Sequence, residues 1–442
     1  MAISVTTEKS YREHLKRLKE EIEDKTGKTT EQLYKERQKR LWDAIELRRP
    51  DRVPVMLGGN YFAAKYAGLP FSSLYYDVVA WKDAYMQMLT DFQPDAWGSS
   101  SSGGSGLTLE ALDAKNVLWP GGTLPPDVSN QAIDGEYLKE DEYDLFLEDT
   151  TDFYLRRYLP RVYGALAPLS KLPDLSGRNS LPAITAIFAT PEFKAVARAL
   201  EKAGQEQINY RMAMGKFNED KVFLGYPSLS EEGGGGAGGP AFDQMANTYR
   251  GWKGIVTDMY RRPEKLIAAL EKINRKQIAK AIPADTKNKG PKLSSGGAIH
   301  RGSDRFLSKK QFETFYWPTW KQAMLKTIEL GYIVNVFAEG FCENRLEYFL
   351  ELPKGKVVVK FSDTNMAKAK EVLGNHCCII GNVPSTLLQM GSPSEVDEYC
   401  KKLIKVCGKG GGYIMTSDTN AIQEAKPENV KVMVDSVKKY QP

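Results

Sequence analysis

Residues 331–363 read GYIVNVFAEGFCENRLEYFLELPKGKVVVKFSD, two short apolar runs, Ile333–Ala338 and Val357–Phe361, separated by a helical stretch over 344–352. A tight hairpin needs only a short turn, so two runs joined through a helix are read as parallel strands. The alternation recurs through the last 150 residues or so. Apolar runs fall at 296–299, 333–338, 357–361, 378–381 and 413–416, with helical patterns at 309–330, 344–352, 365–373, 393–406 and 427–440. Unbroken apolar runs bounded by Gly or Pro suit a sheet covered on both faces. Toward the N-terminus, three more runs, at 52–57, 95–98 and 222–226, read as strands. Eight parallel strands alternating with helices close a barrel, so the predicted fold class is α/β, a (β/α)8 TIM barrel.

The segment outside this repeat divides in two. Residues 1–50 form a charged helical extension in which Leu15, Leu18 and Ile22 recur at helical spacing. Such a helix covers the core or a second copy of the chain, which leaves a homodimer open. Residues 107–215 lack clean periodicity and read as a partly helical insertion between strands two and three, with Pro-rich segments at 119–127 and 172–182. Residues 51–442 are then one elaborated barrel, although a length of 442 would otherwise suggest about three domains. The run GGGGAGGP at 233–240 reads as a flexible lid.

Composition excludes several classes. With 61 Lys plus Arg against 56 Asp plus Glu, the net charge of +5 is too dilute for a nucleic-acid binder. No apolar run approaches a membrane span, and no signal peptide core is present, so a cytoplasmic location is expected. The five cysteines, Cys342, Cys377, Cys378, Cys400 and Cys407, form no CxxC pair, and only three histidines occur. A disulfide framework and a histidine-rich metal cage are both excluded.

In a barrel of this type the chemistry lies where the strands end at their C-termini. That rule selects Asn60, Ser99 to Ser101, Tyr226, Ser228, His300, Glu339, Asp363, Asn382 and Asp418. Asn60 and Asn382 sit in turns, where capping competes with ligand contact, and Asp363 is placed to cap the following helix. A structural role for the His300 imidazole is equally open. Glu339 and Asp418 each follow an apolar run, where a carboxylate entering the barrel mouth needs a partner. Cys342 lies on the same side and is a further potential metal ligand; the other four cysteines read as packing thiols. GKGGG at 408–412 lacks the GK[ST] of a phosphate loop and reads as a helix end.

The motifs ERQKRLWDAIELRRPDRVPVM, YRGWKGIVTDMYRRPEKL, GGAIHRG, AKEVLG, IIGNVPSTLLQMGSPSEV and KPENV resemble those of the uroporphyrinogen decarboxylase superfamily. The resemblance implies a single (β/α)8 barrel and offers two chemistries: cofactor-free decarboxylation of uroporphyrinogen, or zinc-assisted methyl transfer to or from a corrinoid protein. The decarboxylases carry arginines after the first strand and an aspartate after the second. Here those positions read LGGNYFAAKY and WGSSSSGGSG, without either. The thiol-type methyltransferases carry HxC after the fifth strand and a Cys after the eighth. Here Phe337 and Glu339 occupy the former and Asp418 or Thr419 the latter.

The resemblance therefore implies a corrinoid (cobalamin)-dependent methyltransferase acting on an oxygen- or nitrogen-linked methyl donor, with His300, Glu339 and Asp418 as catalytic residues holding Zn²⁺. Asn60, Tyr226, Ser228, Arg301, Asp363 and Asn382 would contact the small-molecule donor. Two alternatives stand beside it. One is a metal-free carboxy-lyase using Arg301 or Arg345 to hold a small carboxylic substrate; the other is a noncatalytic tetrapyrrole- or corrinoid-binding protein.

Overall fold

The computed structural model describes residues 7–98, 104–173, 181–229, 235–285 and 290–442. Two capped helices open the chain, α1 (Glu8–Thr26) and α2 (Thr30–Ile45). Each begins with a capping box, Thr7 with Ser10 and Thr29 with Gln32, and Gly27 in the left-handed conformation ends the first. A cap of this kind contributes about 1 kcal/mol. The predicted amphipathic stripe is real: Tyr11, Leu15, Leu18 and Ile22 are buried in the main apolar core.

Strand β1 (Met56–Leu57) pairs in parallel with β2 (Ala96–Trp97). A small antiparallel hairpin, β3 (Val117–Leu118) with β4 (Gln131–Ala132), lies within the segment 107–215 expected to be an insertion. Strands β5 (Leu293–Ala298), β6 (Ile333–Ala338), β7 (Val357–Phe361), β8 (Cys378–Ile380) and β9 (Tyr413–Ile414) form a parallel sheet in chain order. Parallel bridges from Val55 to Met415 and from Trp97 to Ser228 extend it at the other end. The pairing thus runs from Ser228 through β2, β1, β9, β8, β7 and β6 to β5. Among the described residues no backbone pairing joins Ser228 to β5.

Side chains alternate across these strands with a period of two. Met56, Ala96, Leu293, Ile333, Val358, Cys378, Ile380 and Ile414 form one interior cluster, with Leu229 packed against it. Leu41, Ala44 and Ile45 of α2 complete that cluster, so α2 covers the end at which β5 and β6 begin. The alternate residues, among them Leu57, Val334, Val336, Val357, Val359 and Phe361, join the larger core shared with the helices. The insertion is tied back by a buried network. Arg250, almost fully buried, pairs with Asp258, whose carboxylate also accepts the Tyr143 hydroxyl at 2.7 Å.

Three expectations need correction. The run 222–226 is not a strand: the helix Phe217–Phe223, with acidic Glu219 and Asp220 in its first turn, runs into it, a turn follows at 224–225, and of this segment's described residues only Ser228 pairs with β2. A short apolar run cannot by itself distinguish a strand from a buried helical turn. Strand β5 begins at Leu293, earlier than the predicted 296, because Ser294, Ser295 and Gly296 hide its apolar pattern. The glycine run is also no free lid over its described part, 235–240. Gly236 N–H donates to Ser294 Oγ at 3.0 Å and Ala237 N–H to Thr327 Oγ1 at 2.9 Å. The rest of the run, like Ser99 to Ser101, lies outside the described residues.

Glycine is required where this segment meets β5. Gly297 has φ +85°, and a Cβ there would lie 2.6 Å from Gly239 Cα and from Pro240 Cδ. Gly297→Ala is expected to destabilise the fold by about 1–3 kcal/mol. An unchanged urea midpoint would show that the two segments can separate at little cost.

Candidate active site

A cavity of about 1190 Å³ lies between the strands and α2. Its wall includes Trp97 and Ser228 from the β2 edge, Ser295 and Ala298 of β5, Asn335 and Phe337 of β6, Lys360 of β7, and Asn420 after β9. Trp42 and Tyr34 of α2 line it as well. Among the described residues no arginine lines it and Lys360 is the one cation, fewer than a polycarboxylate would need.

His300 follows the end of β5 by two residues and Glu339 follows β6 by one, and their side chains meet. Nδ1 of the imidazole pairs with Glu339 Oε2, both side chains being about half exposed, at 47%. The Glu339 hydrogen bond raises the His300 pKa above the usual histidine value, and His300 in turn lowers that of Glu339. The His300 loop is fixed from below by Asp243, which is 5% exposed. Its carboxylate accepts the His300 N–H at 3.0 Å, the Arg301 N–H at 2.9 Å and the Tyr316 hydroxyl at 2.7 Å. Burial raises the Asp243 pKa. Asp243 was not selected from the sequence, although an aspartate inside GPAFDQM already demanded partners.

Asp418 does not complete a metal set. Its Oδ2 accepts the Ser385 hydroxyl at 3.3 Å, its N–H donates to Val383 O at 2.9 Å, and buried Oδ1 has no hydrogen-bond partner. Among the described residues no three His, Cys, Asp or Glu side chains come together as a metal site. The expected trio of His300, Glu339 and Asp418 is therefore not assembled, and the donor set present does not fit a resident zinc. Cys342 is no substitute: it is fully buried, and burial pushes its thiol up to about 12, disfavouring the thiolate a metal needs.

Ser228 alone of the predicted substrate contacts lines the cavity. Tyr226 is a core residue, its hydroxyl donating to Leu89 O at 2.7 Å and its ring under Arg37, so the substrate role fails on burial. Asn60 begins the helix Asn60–Tyr66, and its carbonyl accepts the Trp81 indole N–H. Asn382 uses its amide group to hold Ser362 O and Thr364 O, at 2.8 and 2.9 Å. Asp363 pairs with Arg305 at 2.8 Å, while Asn365 caps the helix that Asp363 was expected to cap. The Arg301 guanidinium lies over Trp252 and Phe306. Arg345, 2% exposed, donates to Gly302 O and pairs with Asp304, which leaves it unsuited to hold a substrate in the cavity.

Lys360 was missed altogether. The sequence shows it as one charge inside VVVKF, and strand alternation decides its direction. Val358 belongs to the interior cluster, so Lys360, two residues on, points to the interior too, opposite Phe337 in register. Its Nζ donates to Asn420 Oδ1 at 2.9 Å and lies 5.1 Å from the Phe337 ring centre.

Parallel strands, helical connections, and a cavity with charged groups at the strand ends define an α/β protein with a candidate active site. Residues 234–440 match the family uroporphyrinogen decarboxylase (URO-D). Among solved structures, a methyltransferase from Methanosarcina mazei aligns over 91% of this chain and 98% of its own, with a TM-score of 0.53 and 13% identity. At that identity the likeness is one of fold. No curated protein sequence matches the chain.

Proposed function

We propose that this protein is a methyltransferase that moves a methyl group between an oxygen- or nitrogen-linked small-molecule donor and a corrinoid protein. Its strands would close as a (β/α)8 barrel, with the donor inside and the corrinoid partner over the strand ends. The observation that carries the reading is the His300–Glu339 pair at the strand ends, beside a cavity with aromatic walls and, among the described residues, no arginine. Decarboxylation of a polycarboxylate lacks its cations here. The family match and the fold of the methyltransferase neighbour support the same choice.

The reaction is read without a resident metal. The corrinoid supplies, as substrate, the electron pair that takes up the methyl group. The bond between carbon and oxygen or nitrogen breaks with its electrons left on the heteroatom, which then needs a proton. His300, held charged by Glu339, supplies it from Nε2, the ring nitrogen facing away from the carboxylate. Asp243 fixes the backbone from which the imidazole projects.

Purified protein mixed with cob(I)alamin and a set of methyl ethers and methylamines tests the proposal. Formation of methylcobalamin, followed by absorbance and dependent on protein, is expected with at least one donor. No methyl transfer from any donor, to free cobalamin or to corrinoid proteins, would overturn it.

A further inference from the structure

The cavity's buried cation has no place in the proton transfer above. We propose that Lys360 and Asn420 form an anchoring site for the carboxylate of a small aromatic acid, whose ring packs against Phe337 and Trp97. Lys360 is 8% exposed and lines the cavity, and among the described residues the hydrogen bond its Nζ makes goes to a neutral amide, Asn420. The Asn420 amide oxygen takes one of its three N–H groups, which leaves two for a ligand. A buried ammonium without an anionic partner is costly, and a bound carboxylate removes that cost.

Asp418 interacts with Lys360 through space and favours its charged form, while burial opposes it, leaving the pKa lowered to about 8. The amine is thus mostly protonated at neutral pH. Among the described residues Glu219 is the other charged residue of the lining, on the helix packed near α2. Asn335 and Ser295, which line the same cavity, carry no charge and suit a carboxylate's second oxygen. The walls, Trp97, Phe337 and Trp42, suit a ring of benzene size.

That this acid is the methyl donor rests on the methyl-transfer reading; the anion site itself does not. The test uses intrinsic tryptophan fluorescence with benzoate and its neutral isostere benzamide as probes. Benzoate is expected to bind the wild type at least about tenfold more tightly than benzamide, as one charge-assisted pair implies. Lys360→Met is expected to weaken benzoate by about tenfold or more and to leave benzamide unchanged. Equal binding of the two probes by wild type overturns the site whether or not the variant folds, and so does unaltered benzoate binding in a folded Lys360→Met. Benzoate selectivity without methyl transfer would sink the reaction alone; methyl transfer without selectivity would sink the site alone.

Discussion

Asp95→Ala is expected to destabilise the protein by about 3–5 kcal/mol, the usual loss when one member of a buried charge cluster is removed. Asp95 is 1% exposed and stands immediately before β2. Its carboxylate accepts from Arg40 at 2.7 Å, from Arg52 through both oxygens at 2.6 and 2.7 Å, and from the Val55 N–H at 2.9 Å. One side chain thereby joins α2, the segment entering β1, and β2. Alanine would leave Arg52 without its anion and nearly buried Arg40 with only the exposed carboxylate of Asp51. Asp95→Asn would keep the shape and lose the charge, giving a smaller but still large drop. Chemical denaturation midpoints check both, and a loss below about 1 kcal/mol for the alanine variant would show that the arginines re-pair elsewhere.

The pH dependence follows from the same contacts. Burial acts to raise the Asp95 pKa, but Arg52 and Arg40 outweigh it and hold the folded value below the ordinary carboxylate range. A group lowered on folding stabilises fully above its unfolded pKa, about 3.9, and loses that contribution as pH falls toward the folded value. The gap between wild type and Asp95→Ala should therefore be constant near neutrality and narrow below about pH 4.

His300→Ala is expected to lower methyl transfer by about 10²–10⁴-fold, the range of a positioned general acid. Binding of the donor should change far less, because His300 lies beyond the strand residues that line the cavity. The sign of the pH effect is fixed by the pair. His300 must be protonated to donate, and Glu339 raises its pKa, so activity should persist above the ordinary histidine range before falling. Glu339→Gln removes the charge that raises it, and the alkaline limb should move to lower pH. A pH profile identical in wild type and Glu339→Gln would remove His300 from the proton-transfer role. Unlike a simple loss of activity, that shift separates an electrostatic role for Glu339 from a purely structural one.

The sequence by itself determined the parallel α/β character, because Ile333–Ala338 and Val357–Phe361 are mostly apolar, each broken by one polar residue, and joined through helical turns. It also placed His300 and Glu339 at strand ends, since strand boundaries alone settle which residues follow them. The third strand was misplaced because 222–226 is too short for periodicity to separate helix from strand. Tertiary structure decided the rest. Whether Asp418 joins His300 and Glu339 depends on distances between chain-remote loops, and Tyr226 was removed from the site by packing against Leu89 and Arg37. Asp95 reads as an ordinary polar residue until two arginines from separate elements converge on it. Lys360 was the most hidden. Its charge is visible in VVVKF, but its direction is set by which face of β7 the interior occupies, and its partner Asn420 lies 60 residues away along the chain. Local pattern fixes what each segment can become; only the pairing of strands fixes which side chains share one cavity.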